Sequence, residues 1–285
     1  MAASKENHDP MPLPWANLRL PPFPQVALRV LQLAHEENAS LPQLGELIST
    51  DAAFASELLT VANSALYAPR YPSTSILQAL TVLGAQTLQG MCITIGVRAY
   101  LGKQMAHPAM RQLWTHNLAT ALIAERLASL DMEDKNIAYT FGILHDIGRV
   151  ALAVVSPAAY ATMLDGYSGP ADGILEAERA LFGQDHCETG LQLVDEWRLP
   201  EELAPAVAEH HEPMSIHSQS DPAELVNISC KLADAAGFPA FTRCEPLLYE
   251  ELLQALPERE QKLLSTEVGT LKLELTESIR AIESV

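Results

Sequence analysis

The chain has 285 residues, enough for one large domain or two small ones, and 48% of them are apolar, which suits a globular protein with a sizeable core. Its 36 acidic and 18 basic residues give a formal net charge of −18. Such acidity repels phosphate backbones and anionic lipid headgroups, so we expect neither nucleic acid nor a membrane surface as a partner.

The cysteines and the N-terminal residues indicate a cytoplasmic protein. No CxxC pair occurs, so neither a zinc knuckle nor a disulfide framework is predicted, and reduced, buried thiols are expected. The first 25 residues contain no apolar stretch typical of a secretory signal. The longest apolar run, Val150–Val155, is too short to span a bilayer. The four cysteines are Cys92, Cys187, Cys230 and Cys244.

Residues 1–17 form a predicted proline-rich arm, and helical patterns follow it. Residues 25–35 carry an apolar stripe at helical spacing. Ser40 and Gln43 have the spacing of a capping box, and Asp51 is placed to cap the next helix. A further stripe begins at Ile76 and is expected to stop near Gly84, before a mainly apolar helix over 88–100.

The second half of the chain continues with helices. One is predicted to end near Leu130, the next spans 134–145, and the run at 150–155 is assigned to helix because no partner strand is evident nearby. Asp185 and Asp221 are predicted N-caps, and the last 40 residues form one or two acidic surface helices. The fold class is therefore all-α.

Several histidines and acids occupy positions from which they could meet inside a helical bundle. His145 and Asp146 are adjacent, and a glycine two residues later allows the chain to turn there. Taken singly, each such residue is better explained as a hydrogen-bonded structural residue. Taken together, helices that each deliver one or two inward side chains would build a metal site. The candidate ligands are His116, His145, Asp146, His186, His210, His211 and Asp234.

Other catalytic signatures are missing from the sequence. It contains no phosphate-binding GxxxxGK[ST] loop, no GxGxxG after a strand and no GxSxG nucleophile elbow. No pair of carboxylates stands out as general acid and base. Metal binding is therefore the chemistry that the sequence favours.

The chain resembles HDOD domains, which are bacterial signalling modules related to HD-type metal-dependent phosphohydrolases. The resemblance covers residues 18–236. In the first half it rests on LRLPPFPQVALRVLQLA, LGELISTDAAFASELLTVANSALYAP and SILQALTVLGAQTLQ. In the second half it rests on LWTHNLATALIAERLA, FGILHDIGRVAL, QDHCETGLQLVDEWRLP and VAEHHEP.

The resemblance implies an N-terminal helical part, residues 18–108, packed on a divergent HD-like bundle, residues 109–237. The remaining residues, 238–285, form an acidic helical tail. It also implies two sets of metal ligands. The first set is His116, His145, Asp146 and Asp234. The second set is His186, His210 and His211.

Two positions depart from catalytically active relatives. Arg149 stands where such relatives usually have lysine. It is expected to face a phosphate, which the forked guanidinium of arginine binds in a different geometry from the ammonium group of lysine. The stretch after His210 and His211 lacks the Asp-Gly-x-Gly-Tyr-Pro signature. A cyclic-di-GMP phosphodiesterase of that branch is therefore not predicted.

Two functions follow from the resemblance. The first is a regulatory module that binds signalling proteins, such as components of two-component or cyclic-dinucleotide pathways, with or without a divalent metal. The second is a metal-dependent phosphohydrolase acting on a nucleotide or another phosphate ester. In the second, Asp146 and Arg149 are the candidate catalytic residues and the expected cofactor is a divalent metal, namely iron, manganese or another ion.

Overall fold

The structure, a computed structural model, is built from helices. It describes residues 19–20, 22–34, 40–64, 71–128, 135–169, 173–212, 221–241, 247–264 and 267–283. Throughout these ranges the regular elements are helical, with no strand among them, which confirms the predicted all-α class. The proline-rich arm predicted for residues 1–17 lies outside the described residues.

Among its described residues the N-terminal part has four helices, and the starts of two of them follow the predicted caps. The Ser40 hydroxyl accepts from the backbone N–H of Gln43, whose side chain accepts from the Ser40 backbone in return. The Asp51 carboxylate accepts from the N–H groups of Ala53 and Phe54. Both predicted caps are therefore confirmed. The helices are α1 (Gln25–Ala34), α2 (Leu41–Ser49), α3 (Ala52–Ala62) and α4 (Ile76–Leu101).

The fourth helix is broken at Gly84. This residue has φ 79° and ψ 163°, a backbone conformation that only glycine adopts without strain. The predicted stop near Gly84 is therefore real, but the chain resumes its helix at once and runs to Leu101. A short 3₁₀ turn, Gly102–Ala106, then leads into the second part.

Eleven helices follow in the described residues of the second part, more than the sequence predicted. The stretch after Pro157 contains two helices that were not predicted, and the tail contains three rather than one or two. The helices are α5 (Pro108–Ala128), α6 (Lys135–Leu144), α7 (Ile147–Val155), α8 (Pro157–Gly166), α9 (Ile174–Phe182), α10 (His186–Glu196), α11 (Leu203–Ala208), α12 (Pro222–Ala235), α13 (Tyr249–Ala255), α14 (Glu258–Gln261) and α15 (Val268–Glu283).

One hydrophobic core runs through both parts. Helices α1, α2 and α3 pack on α4, which also contacts α6 and α7. Helices α5, α6 and α12 pack together, α7 packs on α10, and α15 lies on α5. The rings of Phe23, Tyr100 and Trp197 join the first part to the end of α10, with Phe23 and Trp197 centroids 4.8 Å apart. The tail helix α15 buries Leu271 and Leu275 in the same core.

Two glycines allow helices to approach closely around the turn between α6 and α7. A Cβ on Gly142 would lie 2.6 Å from the Cα of Ala121 in α5, and a Cβ on Gly148 would overlap the backbone oxygen of His186 in α10. The sequence analysis assigned Gly148 to a chain turn. The structure instead places it inside α7, where the missing side chain brings α10 against α7.

The stretch Ile137–Val155 is long and apolar enough, by length and composition, to cross a membrane. The sequence analysis expected no such stretch. Of these residues 89% are buried inside the protein, so packing within the core accounts for their apolar character.

Candidate metal centre

His145 and Asp146 form the turn between α6 and α7, and both side chains are buried. Asp146 occupies the N-cap position of α7, yet its side chain makes no capping hydrogen bond. An aspartate at this position ordinarily accepts from the first N–H groups of the helix. Here the carboxylate points into the core instead, where it meets histidines from other helices.

Three of the surrounding imidazoles are oriented by backbone carbonyls. Nδ1 of His116, in the middle of α5, lies 2.8 Å from the oxygen of Phe238. Nδ1 of His145 lies 2.7 Å from the oxygen of Gly142, and Nδ1 of His210 lies 3.0 Å from that of Val207. A carbonyl only accepts, so each Nδ1 carries a proton. In the neutral ring Nε2 then presents a lone pair, as in metal-binding histidines.

Glu178, in α9, orients the fourth imidazole and was not predicted from the sequence. His186, the first residue of α10, donates to the Glu178 carboxylate from Nδ1 at 2.5 Å and from its backbone N–H at 2.9 Å. The hydroxyl of Tyr160 donates to the other carboxylate oxygen at 2.6 Å. Burial raises the pKa of Glu178 to about 7. The Nε2 atom of His186 is thereby left facing Asp146.

Asp146 stands between two groups of donors. Its Oδ2 atom faces the first group, with Nε2 of His145 at 3.8 Å and Nε2 of His116 at 4.0 Å. Its Oδ1 atom faces the second group, with Nε2 of His210 at 3.2 Å and Nε2 of His186 at 3.4 Å. The first group is His116, His145 and Cys230, and Oδ2 of Asp146 lies beside its two ring nitrogens. The second group is Asp146, His186, His210 and His211.

Cys230, rather than Asp234, completes the first group. The Cys230 thiol, buried in α12, lies 3.5 Å from Nε2 of His116. Asp234, about one turn later, lies behind the same ring, with Oδ1 3.1 Å from Nδ1 and 3.3 Å from the N–H of Ala240. Asp234, which the resemblance placed among the first ligands, is therefore the one candidate that the structure leaves outside both groups.

Arg149 enters the second group from the first turn of α7. Its Nε lies 3.1 Å from Oδ2 of Asp146, and its Nη2 lies 3.2 Å from Nε2 of His186 and 3.3 Å from Nε2 of His211. The side chain is buried. The sequence analysis expected Arg149 to face a phosphate. In the structure its guanidinium is turned inward, onto the candidate ligands themselves.

The charges in the centre follow from burial and from Arg149. Burial opposes ionisation of Asp146, but Arg149 and His145 outweigh it and hold the pKa of this carboxyl well below its usual range. Burial, followed by repulsion from Arg149, lowers the pKa of His186. Burial also lowers the pKa of His145. The centre therefore combines an ionised carboxylate with neutral imidazoles, the forms that bind a cation.

His116 differs from the other histidines. Burial would lower its pKa, but Cys230 and Asp234 raise the pKa well above the usual value. Burial in turn raises the pKa of the Cys230 thiol. A metal bound in the first group would displace the thiol proton of Cys230 and any proton on Nε2 of His116.

Unpaired polar atoms show that the centre fits a divalent cation. Among the described residues, both carboxylate oxygens of Asp146 and Nε2 of His145 are buried without hydrogen-bond geometry to any partner. Such atoms are costly unless a ligand or cation satisfies them. With Oδ2 of Asp146, the first group offers two nitrogens, one sulfur and one oxygen, a donor set that suits tetrahedral zinc. The second group offers only nitrogen and oxygen.

One curated relative is a protein from Treponema pallidum (strain Nichols) whose function is uncharacterised. It is 27% identical to this chain over 203 residues. The match covers 67% of this chain and 37% of the relative, so the chain corresponds to little more than a third of that protein.

Solved structures share the fold. An HDOD domain protein of unknown function from Geobacter sulfurreducens superposes with a TM-score of 0.71 at 23% identity, over 94% of this chain and 93% of its own. A provisionally named signal transduction protein from Marinobacter aquaeolei VT8 gives 0.66 at 22% identity, over 95% and 61%. A provisionally named metal-dependent phosphohydrolase from Shewanella amazonensis SB2B gives 0.64 at 19% identity, over 94% and 93%.

The match to a family extends through the histidines and the aspartate that build the centre but ends before Cys230. The sequence pattern of the HDOD domain fits residues 20–213, which are more than half of the chain and include His116, Asp146 and His211. The chain therefore belongs to the HDOD domain family.

Proposed function

We propose that this protein is a cytoplasmic signal-transduction module that acts by binding other signalling proteins and holds a divalent metal in a closed centre. Membership of the HDOD family and a structural neighbour named as a signal transduction protein support the first half of this proposal. The unpaired atoms of His145 and Asp146 support the second half. The partners we propose are components of two-component or cyclic-dinucleotide pathways.

The burial of the centre is the observation that carries this proposal. His116, His145, Asp146 and His186 are each exposed by 1% or less, and His210 by 2%. Catalytic metal sites keep one coordination position open to water and substrate, whereas structural sites are closed. A centre buried to this degree favours a metal that stabilises the fold over a metal that meets a phosphate ester.

The proposal is tested on the full chain purified without chelator. Element analysis should find a divalent metal, and a panel of nucleotides and cyclic dinucleotides should be turned over no faster than by the Asp146→Asn variant. Asp195→Asn, an exposed aspartate of α10, is the matched control. In-cell cross-linking should enrich proteins that carry receiver, kinase or cyclic-dinucleotide enzyme domains. Metal-dependent hydrolysis that is lost in Asp146→Asn would contradict the proposal.

One observation favours a second candidate, a metal-dependent phosphohydrolase. The two oxygens of Asp146 face different groups, an arrangement suited to a carboxylate that bridges two ions. A structural neighbour is provisionally named as such an enzyme. The ligands would be His116, His145 and Asp146 in the first group and His186, His210 and His211 in the second, and bound metal would supply an activated water. The hydrolysis panel distinguishes this candidate from the first.

A further inference from the structure

The second group concentrates lone pairs in a small buried volume. Nε2 of His186 lies 3.0 Å from Nε2 of His211 and 3.2 Å from Nε2 of His210. His186 and His210 carry their protons on Nδ1, toward Glu178 and the Val207 oxygen. Facing lone pairs at these distances repel each other, and the neighbouring carboxylate of Asp146 adds negative charge. A cation is therefore needed among them.

Arg149 supplies that cation. A guanidinium has only donors, so Nε2 of His186, whose ring proton lies on Nδ1, presents its lone pair to Arg149, and Nε2 of His211 accepts from the same Nη2 when its proton lies on Nδ1. Its Nε lies against the Asp146 carboxylate. The two ring nitrogens are ones that a metal ion in the second group would bind, whereas Nε lies against Oδ2, the carboxylate oxygen that faces the first group. We propose that the Arg149 guanidinium takes the place of a second metal ion, so that the protein holds one divalent ion, in the first group, and none in the second.

Several neighbours keep Arg149 in this position. It is 1% exposed, lies one helical turn after Asp146 on the same face of α7, and has the ring of Phe241 6.0 Å from its guanidinium carbon. Moving it aside would strip Asp146 of its nearest counter-charge, and a buried charge without a partner is strongly unfavourable. A metal ion entering beside Arg149 would instead bring two positive charges together.

This inference rests on the proposed metal centre and specifies how many ions the centre holds. It gives a physical reason for the absence of phosphoester chemistry in the proposed module. In two-metal hydrolases a pair of ions clamps the attacking and leaving oxygens. A guanidinium carries one positive charge and is not a Lewis acid, so it cannot activate a water molecule as a bound metal ion does. With Arg149 in place, the second ion of such a clamp is missing.

Metal stoichiometry tests the inference directly. The full chain is incubated with excess Zn²⁺ or, separately, Mn²⁺, passed through gel filtration and subjected to element analysis. We expect one ion per chain for the wild type and two for Arg149→Met, which keeps side-chain length without charge. Arg179→Met, at a half-exposed arginine of α9, is the control and should stay at one ion.

A second variant keeps the inference falsifiable if Arg149→Met does not fold. His211→Gln removes a ligand of the second group only, at a partly buried position, so it should leave the wild-type content of one ion unchanged. Two ions in the wild type, one ion in folded Arg149→Met, or loss of an ion in His211→Gln would each overturn the inference. No ion in the wild type and none in Arg149→Met would instead refute the proposed metal centre.

Discussion

Cys230 sets the chemical character of the centre at the scale of single residues. It is the only sulfur donor in either described group, and it faces the ring nitrogen of His116 that a metal would use. Thiolates favour zinc and other soft or borderline ions, whereas a carboxylate in the same place favours manganese or magnesium. The sequence analysis expected iron, manganese or another divalent metal. The donors of the first group shift the proposed metal to zinc.

The absorption spectrum of the cobalt-substituted protein tests whether Cys230 binds the metal. Co²⁺ replaces zinc in tetrahedral sites, and a thiolate bound to it gives a charge-transfer absorption in the near ultraviolet. We expect this absorption in the cobalt-loaded protein and its loss in Cys230→Ser, because a hydroxyl is a far weaker ligand. Cys92→Ser, at a buried thiol in α4, is the control and should keep the band. A band that survives in Cys230→Ser would show that sulfur from Cys230 does not bind the metal.

The approach of α7 to α10 determines whether the centre assembles at the scale of helices. Asp146 and Arg149 belong to the start of α7, and His186 is the first residue of α10, so the distance between these helices sets the contacts of the second group. Gly148 makes that distance short, because a side chain there would overlap the backbone of His186. Backbone atoms cannot rotate out of the way as a flexible side chain can.

Gly148→Ala should therefore separate the two helices. We expect the free energy of unfolding to fall by about 1–3 kcal/mol or more, as for other overpacked sites, together with a lower metal content. Gly269→Ala is the matched control, since a Cβ there meets open space in the tail helix α15. That change should be neutral or stabilise by up to about 1 kcal/mol. Chemical denaturation measures both, and equal effects of the two substitutions would contradict this account.

The sequence predicts those features of the structure that are determined by residues close together in the chain. The caps at Ser40, Asp51, Asp185 and Asp221 were predictable, because each depends on residues within one turn. Helices α8 and α9 were missed, since glycines and a proline divide residues 157–183 into short segments. Missing α9 also meant missing Glu178, whose burial arises only when α9 packs near α10.

The side chains of the centre show the same limit. The histidines stand out by residue type, and all of the predicted ones lie in the two groups. Cys230 gave no signal, because its partner His116 is 114 residues away in the chain. Asp234 was implied by resemblance, but it lies one helical turn beyond Cys230 and contacts Nδ1 of His116 rather than Nε2. The inward direction of Arg149 depends on three helices at once, so no local pattern predicts it.

The centre makes the stability of the whole molecule depend on pH. Burial lowers the pKa of His145, His186 and His211 well below the ordinary value near 6.5. As the pH falls below 6.5, the unfolded chain therefore takes up protons at these positions and the folded protein does not. Folded-state stability from these groups is present above pH 6.5 and is lost as the pH falls.

Glu178 and His116 affect the pH dependence of stability differently from these three histidines. Burial raises the pKa of Glu178 to about 7. Between this pH and the ordinary pKa of glutamate, Glu178 carries a proton in the folded protein but not in the unfolded chain. Glu178 therefore stabilises the fold as the pH falls. His116, whose pKa is raised, is protonated in both states below about pH 6 and contributes no slope there. On unfolding in this pH range the three histidines each gain a proton and Glu178 loses one, so the unfolded chain binds about two more protons than the folded protein.

Metal-free protein should accordingly become less stable in mild acid. With about 1.4 kcal/mol per proton and pH unit, we expect the free energy of unfolding to decrease by roughly 2–3 kcal/mol between about pH 6 and 5. His211→Gln removes one of the three buried neutral imidazoles, so it should reduce this slope to about half. Urea denaturation at several pH values, in chelator, measures both slopes. A stability that stays constant or rises toward pH 5 would show that these histidines are not held neutral in the folded protein.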